Sequence, residues 1–286
     1  MSARSDDRGD RLEGAVGAFR VHPEPWIAFQ PAVDAMLEPL GRSLLARLAP
    51  ATGQRILDVG CGCGTTTLAL ATAVGPTGTV TGIDPSANML AVARAAAAAA
   101  GLAHVDFLEA DAGTYPYEPD AYDVIFSRMG TMFFDDAEAA FTNLHRALRS
   151  GGQLGFVCWR TLEENAWTTE PRDAAAAIVP LPPAPGPEAP GPFFMARAER
   201  ISSVLSHASF VDVTIEPLDR DLLIGRGDVD EAVEFYLRLL PTGDLMFEPD
   251  RHLLDRLRAT LRSVLEGHRR DDGIWLGSAS WVVRAR

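Results

Sequence analysis

Residues 55–64 read Arg55-Ile56-Leu57-Asp58-Val59-Gly60-Cys61-Gly62-Cys63-Gly64, and Asp84 follows twenty residues after the last of these glycines. Ile56 to Val59 is a short apolar run with one acid near its end, the pattern of a buried parallel strand. Gly60, Gly62 and Gly64 then remove every second side chain from the turn, so the backbone can pass directly against a ligand. Thr65 to Val74 has the composition of the helix that receives this loop, and the free N–H groups of its first turn point at whatever binds there. A second apolar run, Val80 to Ile83, ends in Asp84. An acid at the tip of the next strand is where a ribose diol would be held by two hydrogen bonds.

Spacing separates two ligand classes that use such a loop. The dinucleotide fingerprint G-x-G-x-x-G needs a glycine at position 65, where this chain has Thr65. The observed G-x-G-x-G, with Asp58 before it and Asp84 after it, resembles the donor loop of class I S-adenosylmethionine (AdoMet) methyltransferases. The resemblance is close over Gln54 to Trp159 and looser elsewhere, and it is nearest to the UbiE-like group of small-molecule enzymes. It implies a doubly wound α/β fold with a mostly parallel, seven-stranded, Rossmann-like sheet, and AdoMet as cofactor.

The other landmarks of that family follow in order. Glu109-Ala110-Asp111-Ala112 comes after the third strand; the resemblance gives Asp111 the adenine amino group and Ala112 a backbone contact, against a plain turn-capping acid. Asp84 is assigned the ribose and Pro85 a packing contact with adenine. Met89 either lines the same pocket or is a core methionine. Asp58 organises the glycine loop, with Gly60, Cys61, Gly62 and Gly64 forming the cradle. Leu148-Arg149-Ser150-Gly151-Gly152 matches the family's turn, with Ser150 where proline is common, and its glycines are expected to end the preceding helix.

Ser127-Arg128-Met129-Gly130 falls beside the expected position of the reactive methyl, with Ser127 on the cofactor side. It lacks the Asn/Asp-Pro-Pro-aromatic signature of enzymes acting on exocyclic amines of bases or glutamine amides. Arg128 has two readings: a bidentate hold on an anion, either acceptor or methionine carboxylate, or a structural ion pair with Asp135 or Asp136. Trp159 and Arg160 end the fifth strand as a substrate wall, with core packing the alternative for Trp159. The sequence identifies no catalytic base. His22, His145 and His207 stand in no motif, and all 26 basic residues are arginine, which excludes a catalytic lysine.

Composition narrows the partners. A net charge of −13 with no basic run argues against nucleic acid, whose binding draws on cationic side chains. The arginines from Arg251 to Arg270 are diluted by acids and read as a solvated helix face. Cys61, Cys63 and Cys158 form neither a disulfide framework nor a zinc set. No apolar stretch suits a signal or a membrane span, so a cytoplasmic protein without membrane contact is expected. Oligomeric state is open, and a homodimer is compatible.

Along the chain, residues 1–14 read as a disordered N-terminus and 15–50 as an N-terminal helical segment. Val33, Met36, Leu37, Leu40, Leu44 and Leu48 mark its apolar face, and Pro39 should kink or split it. Trp26, Ile27 and Phe29 are either a plug for the core edge or a cover for the cofactor. Residues 51–159 form the AdoMet-binding core, with strands at Val105–Leu108, Tyr122–Phe126 and Gln153–Cys158. Residues 160–286 complete the sheet at about 196–219 and 275–286, with alternating Val211, Val213 and Ile215 marking a sixth strand and Ala279–Val283 an edge hairpin strand. Insertions at about 160–195 and 220–274 are expected to cap the sheet; the first holds seven prolines between Pro180 and Pro192.

The reading that follows is an AdoMet-dependent methyltransferase (EC 2.1.1.-) acting on a small molecule in a capped pocket. Its rival is a protein that binds AdoMet or S-adenosylhomocysteine without transfer, as a sensor or partner subunit. A nicotinamide oxidoreductase fits less well, given Thr65 and the missing Tyr/Lys pair.

Overall fold

The computed structural model describes residues 27–181, 190–239 and 251–286. The expectations for residues 1–14, His22, Trp26 and most of the proline-rich loop lie outside these residues. Helix α1 (Gln30–Leu48) leads into β1 (Arg55–Val59), α2 (Thr65–Val74), β2 (Thr79–Asp84), α3 (Ala87–Ala99) and β3 (Val105–Glu109). Then come β4 (Tyr122–Arg128), α4 (Ala137–Ala147) and β5 (Leu148–Trp159). The remainder is α5 (Ala166–Ala176), α6 (Ala198–His207), β6 (Thr214–Gly225), α7 (Val229–Leu239), α8 (Arg251–Glu266), β7 (Arg269–Arg270) and β8 (Gly273–Ala285).

The sheet runs β3-β2-β1-β4-β5-β8-β6, with β7 paired to β8 off this path. The expected seven strands are therefore eight, because the chain makes a two-residue strand, β7, before turning into β8. β1 to β5 are parallel, and β8 is antiparallel to both β5 and β6. Parallel strands buried on both faces explain the continuous apolar runs: Ile56, Leu57, Val124, Ile125 and Leu154 are fully buried.

Four expectations are corrected. The strand around Ala279–Val283 is not at an edge; β8 lies between β5 and β6, and its buried residues on both sides reflect that place. Gly151 and Gly152 do not cap α4. That helix ends at Ala147, Leu148 is already extended, and the glycines sit in β5 where its register against β4 shifts. Pro39 does not split α1, which is one helix from Gln30 to Leu48. Leu40, Leu44 and Leu48 are buried along it, and apolar burial outweighs the one backbone hydrogen bond that a proline removes. The Val211–Val213–Ile215 alternation marks only the approach to the sixth strand, since β6 starts at Thr214 and Val211 is largely exposed.

One feature of the hairpin positions the rest. β5 pairs with β8 only as far as Trp159↔Ser280, yet β8 and β6 stay paired to Ile274↔Gly225. Residues 273–279 and 219–225 thus overhang the edge where the parallel strands end. Helices α5 and α7 pack on the hairpin, and α8 packs on both of them. Leu257, Leu261 and Leu265 of α8 are buried, whereas Arg258 and Arg262 on its outer face pair with Glu234 and Asp230 of α7. Tyr236 Oη donates to Trp167 O at 2.5 Å, tying α7 to α5. No helix among the described residues is long and apolar enough to cross a membrane.

Candidate donor and acceptor site

The glycine loop folds back on the end of β2. Gly60 and Cys61 N–H donate to Ile83 O, and Gly62 N–H donates to Asp84 Oδ2 at 3.0 Å. Asp84 Oδ1 accepts from Ser86 N–H at 2.9 Å. Burial raises the Asp84 carboxyl above its ordinary value, and the two backbone donors oppose that shift. Each oxygen keeps a lone pair beyond the bond it already accepts.

The glycines are not equivalent. A Cβ on Gly60 would stand 2.7 Å from Gly130 Cα, so the loop and the segment after β4 touch backbone to backbone. A Cβ on Gly62 would meet only Met89 Sδ, at 3.8 Å. Space in front of Gly62 is therefore open to a ligand, bounded by the half-buried Met89 and the exposed Pro85.

Asp58 faces the other way. It is fully buried, and its Oδ2 accepts from the hydroxyls of Thr66 and Thr67, both at 2.7 Å. Its Oδ1 has no partner. Desolvation pushes this carboxyl up to about 6, against the two threonine bonds and the Arg128 charge. These threonines were not anticipated as site residues. Three β-branched residues opening a helix disfavour it, a signal that their hydroxyls have partners.

Asp111 follows β3 beside Asp84, as β2 and β3 pair Asp84↔Glu109 and Ala110 N–H donates to Asp84 O. Asp111 Oδ1 accepts from Gly113 N–H at 2.8 Å, and its carbonyl accepts from Tyr115 N–H. The next residue, Ala112, is buried. Burial pushes the Cys63 thiol up to about 11 and raises that of Cys61 as well, so both are protonated near neutral pH.

The residues that end β4, and Met129 just past it, are placed differently from expectation. Ser127 is buried, and its hydroxyl donates to Val59 O at 2.8 Å while accepting from Gly130 N–H, cross-linking β4 to β1. Arg128 pairs with neither Asp135 nor Asp136. Its Nη2 donates to Asp34 Oδ1 at 3.1 Å, and Asp34 Oδ2 accepts from Thr65 Oγ1 at 2.6 Å. Met129, buried beside the loop, has φ of +65°, a conformation a bulky side chain adopts only under constraint.

Trp159 is buried and stacks tilted on Trp167 of α5 at 5.0 Å. Arg160 donates to Asp219 at 3.0 Å, pairs with Glu164 and lies over the Trp281 ring at 5.0 Å. Its charge is spent within the protein. Phe29 sits edge-on to Phe235 of α7 at 5.9 Å, so α1 and the overhang meet through aromatic rings. His145 packs against Phe210, and His207 Nδ1 lies 2.9 Å from Ser203 O.

Residues 56–152, from the first strand to the glycines of β5, match the family model described as methyltransferase domain. Over this stretch the chain is similar to methyltransferase domains. Aklanonic acid methyltransferase DauC of Streptomyces sp. is 32% identical over 119 residues, 42% of this chain and 54% of that protein. Nocamycin O-methyltransferase of Saccharothrix syringae is 36% identical over 119 residues, covering 42% of each chain. Demethylmenaquinone methyltransferase of Lactococcus lactis is 34% identical over 117 residues, 41% of this chain and 46% of that one. The chain thus spans about half the length of the curated relatives it matches. Among solved structures, the YcgJ protein from Bacillus subtilis superimposes with a TM-score of 0.57 at 16% identity, covering 86% of this chain and 97% of that one. Haemonchus contortus phosphoethanolamine N-methyltransferase 2, solved with S-adenosylhomocysteine, gives 0.58 at 20% identity, covering 94% and 59%. The likeness to these structures is one of fold.

Proposed function

We propose that this chain transfers a methyl group from AdoMet to a small organic acceptor. The observation that carries the reading is the Gly62–Asp84 clasp, with open space before Gly62 and Asp111 on the adjacent strand. These residues fit the donor. The free lone pairs of Asp84 suit a ribose diol, Asp111 and Ala112 suit the adenine edge, and Gly60 to Gly64 offer bare backbone to the chain beyond the sugar. When bound, AdoMet supplies a sulfonium-activated methyl that needs no further electrophilic activation.

What remains for the protein is placement and exclusion of water. Asp58 with Thr66 and Thr67 fixes the first turn of α2, and the Ser127–Val59 bond holds β4 against the loop. Met129 stands where the acceptor would meet the donor. The overhanging hairpin and helices α5, α7 and α8 act as a cap over this edge, with the Trp159–Trp167 stack as its seam. The named activities of the relatives, on aklanonic acid, nocamycin and demethylmenaquinone, support a small acceptor. The acidic net charge supports an enzyme without a nucleic-acid partner; light scattering would decide between monomer and homodimer.

Calorimetry with S-adenosylhomocysteine and with NAD tests the donor. Binding of the first and not the second is expected, and the reverse would refute the proposal. Incubation of cell extract with methyl-labelled AdoMet, then mass spectrometry, tests transfer and identifies the acceptor. Donor binding without any enzyme-dependent label would favour a non-transferring sensor.

A further inference from the structure

No helix or strand spans residues 110–121, between β3 and β4, yet side chains fasten the start of this loop. From α4, Asn143 Nδ2 donates to Tyr115 O at 2.8 Å and to Gly113 O at 3.2 Å. Ala140, one turn earlier on the same face of α4, has its Cβ 3.1 Å from where a Cβ on Gly113 would stand. From within the loop, Tyr117 Oη donates to Ala112 O at 3.1 Å. Tyr117 is buried between Tyr115 and Tyr122, and burial raises its phenol above the ordinary value, so the hydroxyl stays a donor. Asp111 O accepts from the N–H groups of Thr114 and Tyr115. Ala112 N–H, on the same peptide as that carbonyl, is the exception. Ala112 is buried, and among the described residues its N–H donates to none. A buried backbone donor left unmet is costly, so its partner comes from outside the folded chain.

We propose that Asn143 and Tyr117 are positioning residues which, by locking residues 111–115, set the preference of the donor site for adenine over hypoxanthine. This rests on the donor reading above. Adenine presents an acceptor at N1 and a donor at its 6-amino group, and Ala112 N–H with the Asp111 carboxylate offers the complement. Hypoxanthine reverses both: N1 carries a proton and position 6 a carbonyl, so donor meets donor and acceptor meets acceptor. That opposition rejects the wrong base only while the peptide between Asp111 and Ala112 cannot turn. Its carbonyl is held by Thr114 and Tyr115, and Asn143 secures both by taking the carbonyls of Gly113 and Tyr115. Tyr117 fixes the next peptide through Ala112 O. Both residues act through Asp111 and Ala112 rather than on the base itself.

The test compares S-adenosylhomocysteine with S-inosylhomocysteine, its deaminated form, by calorimetry. Wild type should prefer the first about tenfold to a hundredfold, the range for leaving a buried polar group unpaired. Asn143→Leu should cut that ratio about fivefold or more, mainly by weakening S-adenosylhomocysteine, as expected for loss of hydrogen bonds that order the loop. Asn143→Asp should do the same, since a carboxylate keeps the size but has no N–H for the two carbonyls. Tyr117→Phe removes one oxygen and should lower the ratio about twofold to fivefold; it serves if the Asn143 variants fail to fold. In wild type, hydrogen exchange over residues 110–117 should slow more with S-adenosylhomocysteine than with S-inosylhomocysteine. A folded variant of either residue that keeps the wild-type ratio would show a merely structural clamp. That result, a wild type that binds both ligands equally, or equal protection of the loop by both, overturns the proposal. Failure of wild type to bind S-adenosylhomocysteine at all would instead overturn the donor reading.

Discussion

Gly62 and Asp84 are joined by a hydrogen bond of 3.0 Å from the loop backbone to the carboxylate at the tip of β2. One side chain therefore shapes the cradle and keeps further lone pairs unused by these two bonds. Asp84→Asn keeps the size of the side chain but replaces one acceptor oxygen with a donor. It should weaken S-adenosylhomocysteine by about 1.5–3 kcal/mol, the worth of hydrogen bonds to a charged group. Calorimetry checks this; an unchanged Kd would remove Asp84 from the ribose site.

Gly60 and Gly62 should respond differently to the same methyl group. At Gly60 the new Cβ meets backbone, Gly130 Cα at 2.7 Å, and overpacking against backbone costs about 1–3 kcal/mol or more. At Gly62, where φ is +54°, the left-handed penalty is about 1–2 kcal/mol and no close contact adds to it. Gly60→Ala should lower Tm more than Gly62→Ala, while Gly62→Ala should abolish donor binding in a protein that still folds. Thermal melts with parallel titrations decide it.

Asp58 should give stability an unusual dependence on pH. Its folded-state value, about 6, lies above the ordinary 3.8, so between these values the folded chain binds the extra proton. The associated stability is present below about pH 4 and lost as pH rises through about 6. Asp58→Asn removes this effect. Wild type should lose on the order of 2–3 kcal/mol relative to the variant across that window, measured by urea unfolding at several pH values. A difference independent of pH would show that the carboxyl ionises as freely when folded as when unfolded.

Asn165 should be a single point of failure for the overhang. It is fully buried. Its Oδ1 accepts from Ala279 N–H at 3.0 Å and from Trp167 Nε1–H at 3.1 Å, and its Nδ2 donates to Thr161 O at 2.9 Å. Asn165→Ala strands two buried donors at about 1–3 kcal/mol each. A loss of about 2–5 kcal/mol in denaturant unfolding is expected, with faster hydrogen exchange in α5; a change below about 1 kcal/mol would contradict it.

The glycine loop and the acid at the end of β2 are legible in the sequence because their parts are local. Glycines two apart need no tertiary context to expose backbone, and an apolar run ending in an acid reports both strand and tip. Helix α2 is legible for the same reason. Arg128 was singled out by position, yet its partner Asp34 lies far upstream on α1, and nothing in the spacing of 94 residues announces that pair. Trp159 and Arg160 lean on Trp167 and Asp219, partners from elements whose packing no motif encodes.

Periodicity and backbone chemistry within some thirty residues were enough to set the α/β alternation, the glycine cradle and the acid at the end of β2. Which charges remain available was settled only when the chain closed on itself, since an ion pair is a property of two surfaces brought together. The place of β8 inside the sheet, its overhang beyond β5, and the helices seated there are likewise tertiary. They follow from long-range pairing and buried apolar area, which no local stretch contains.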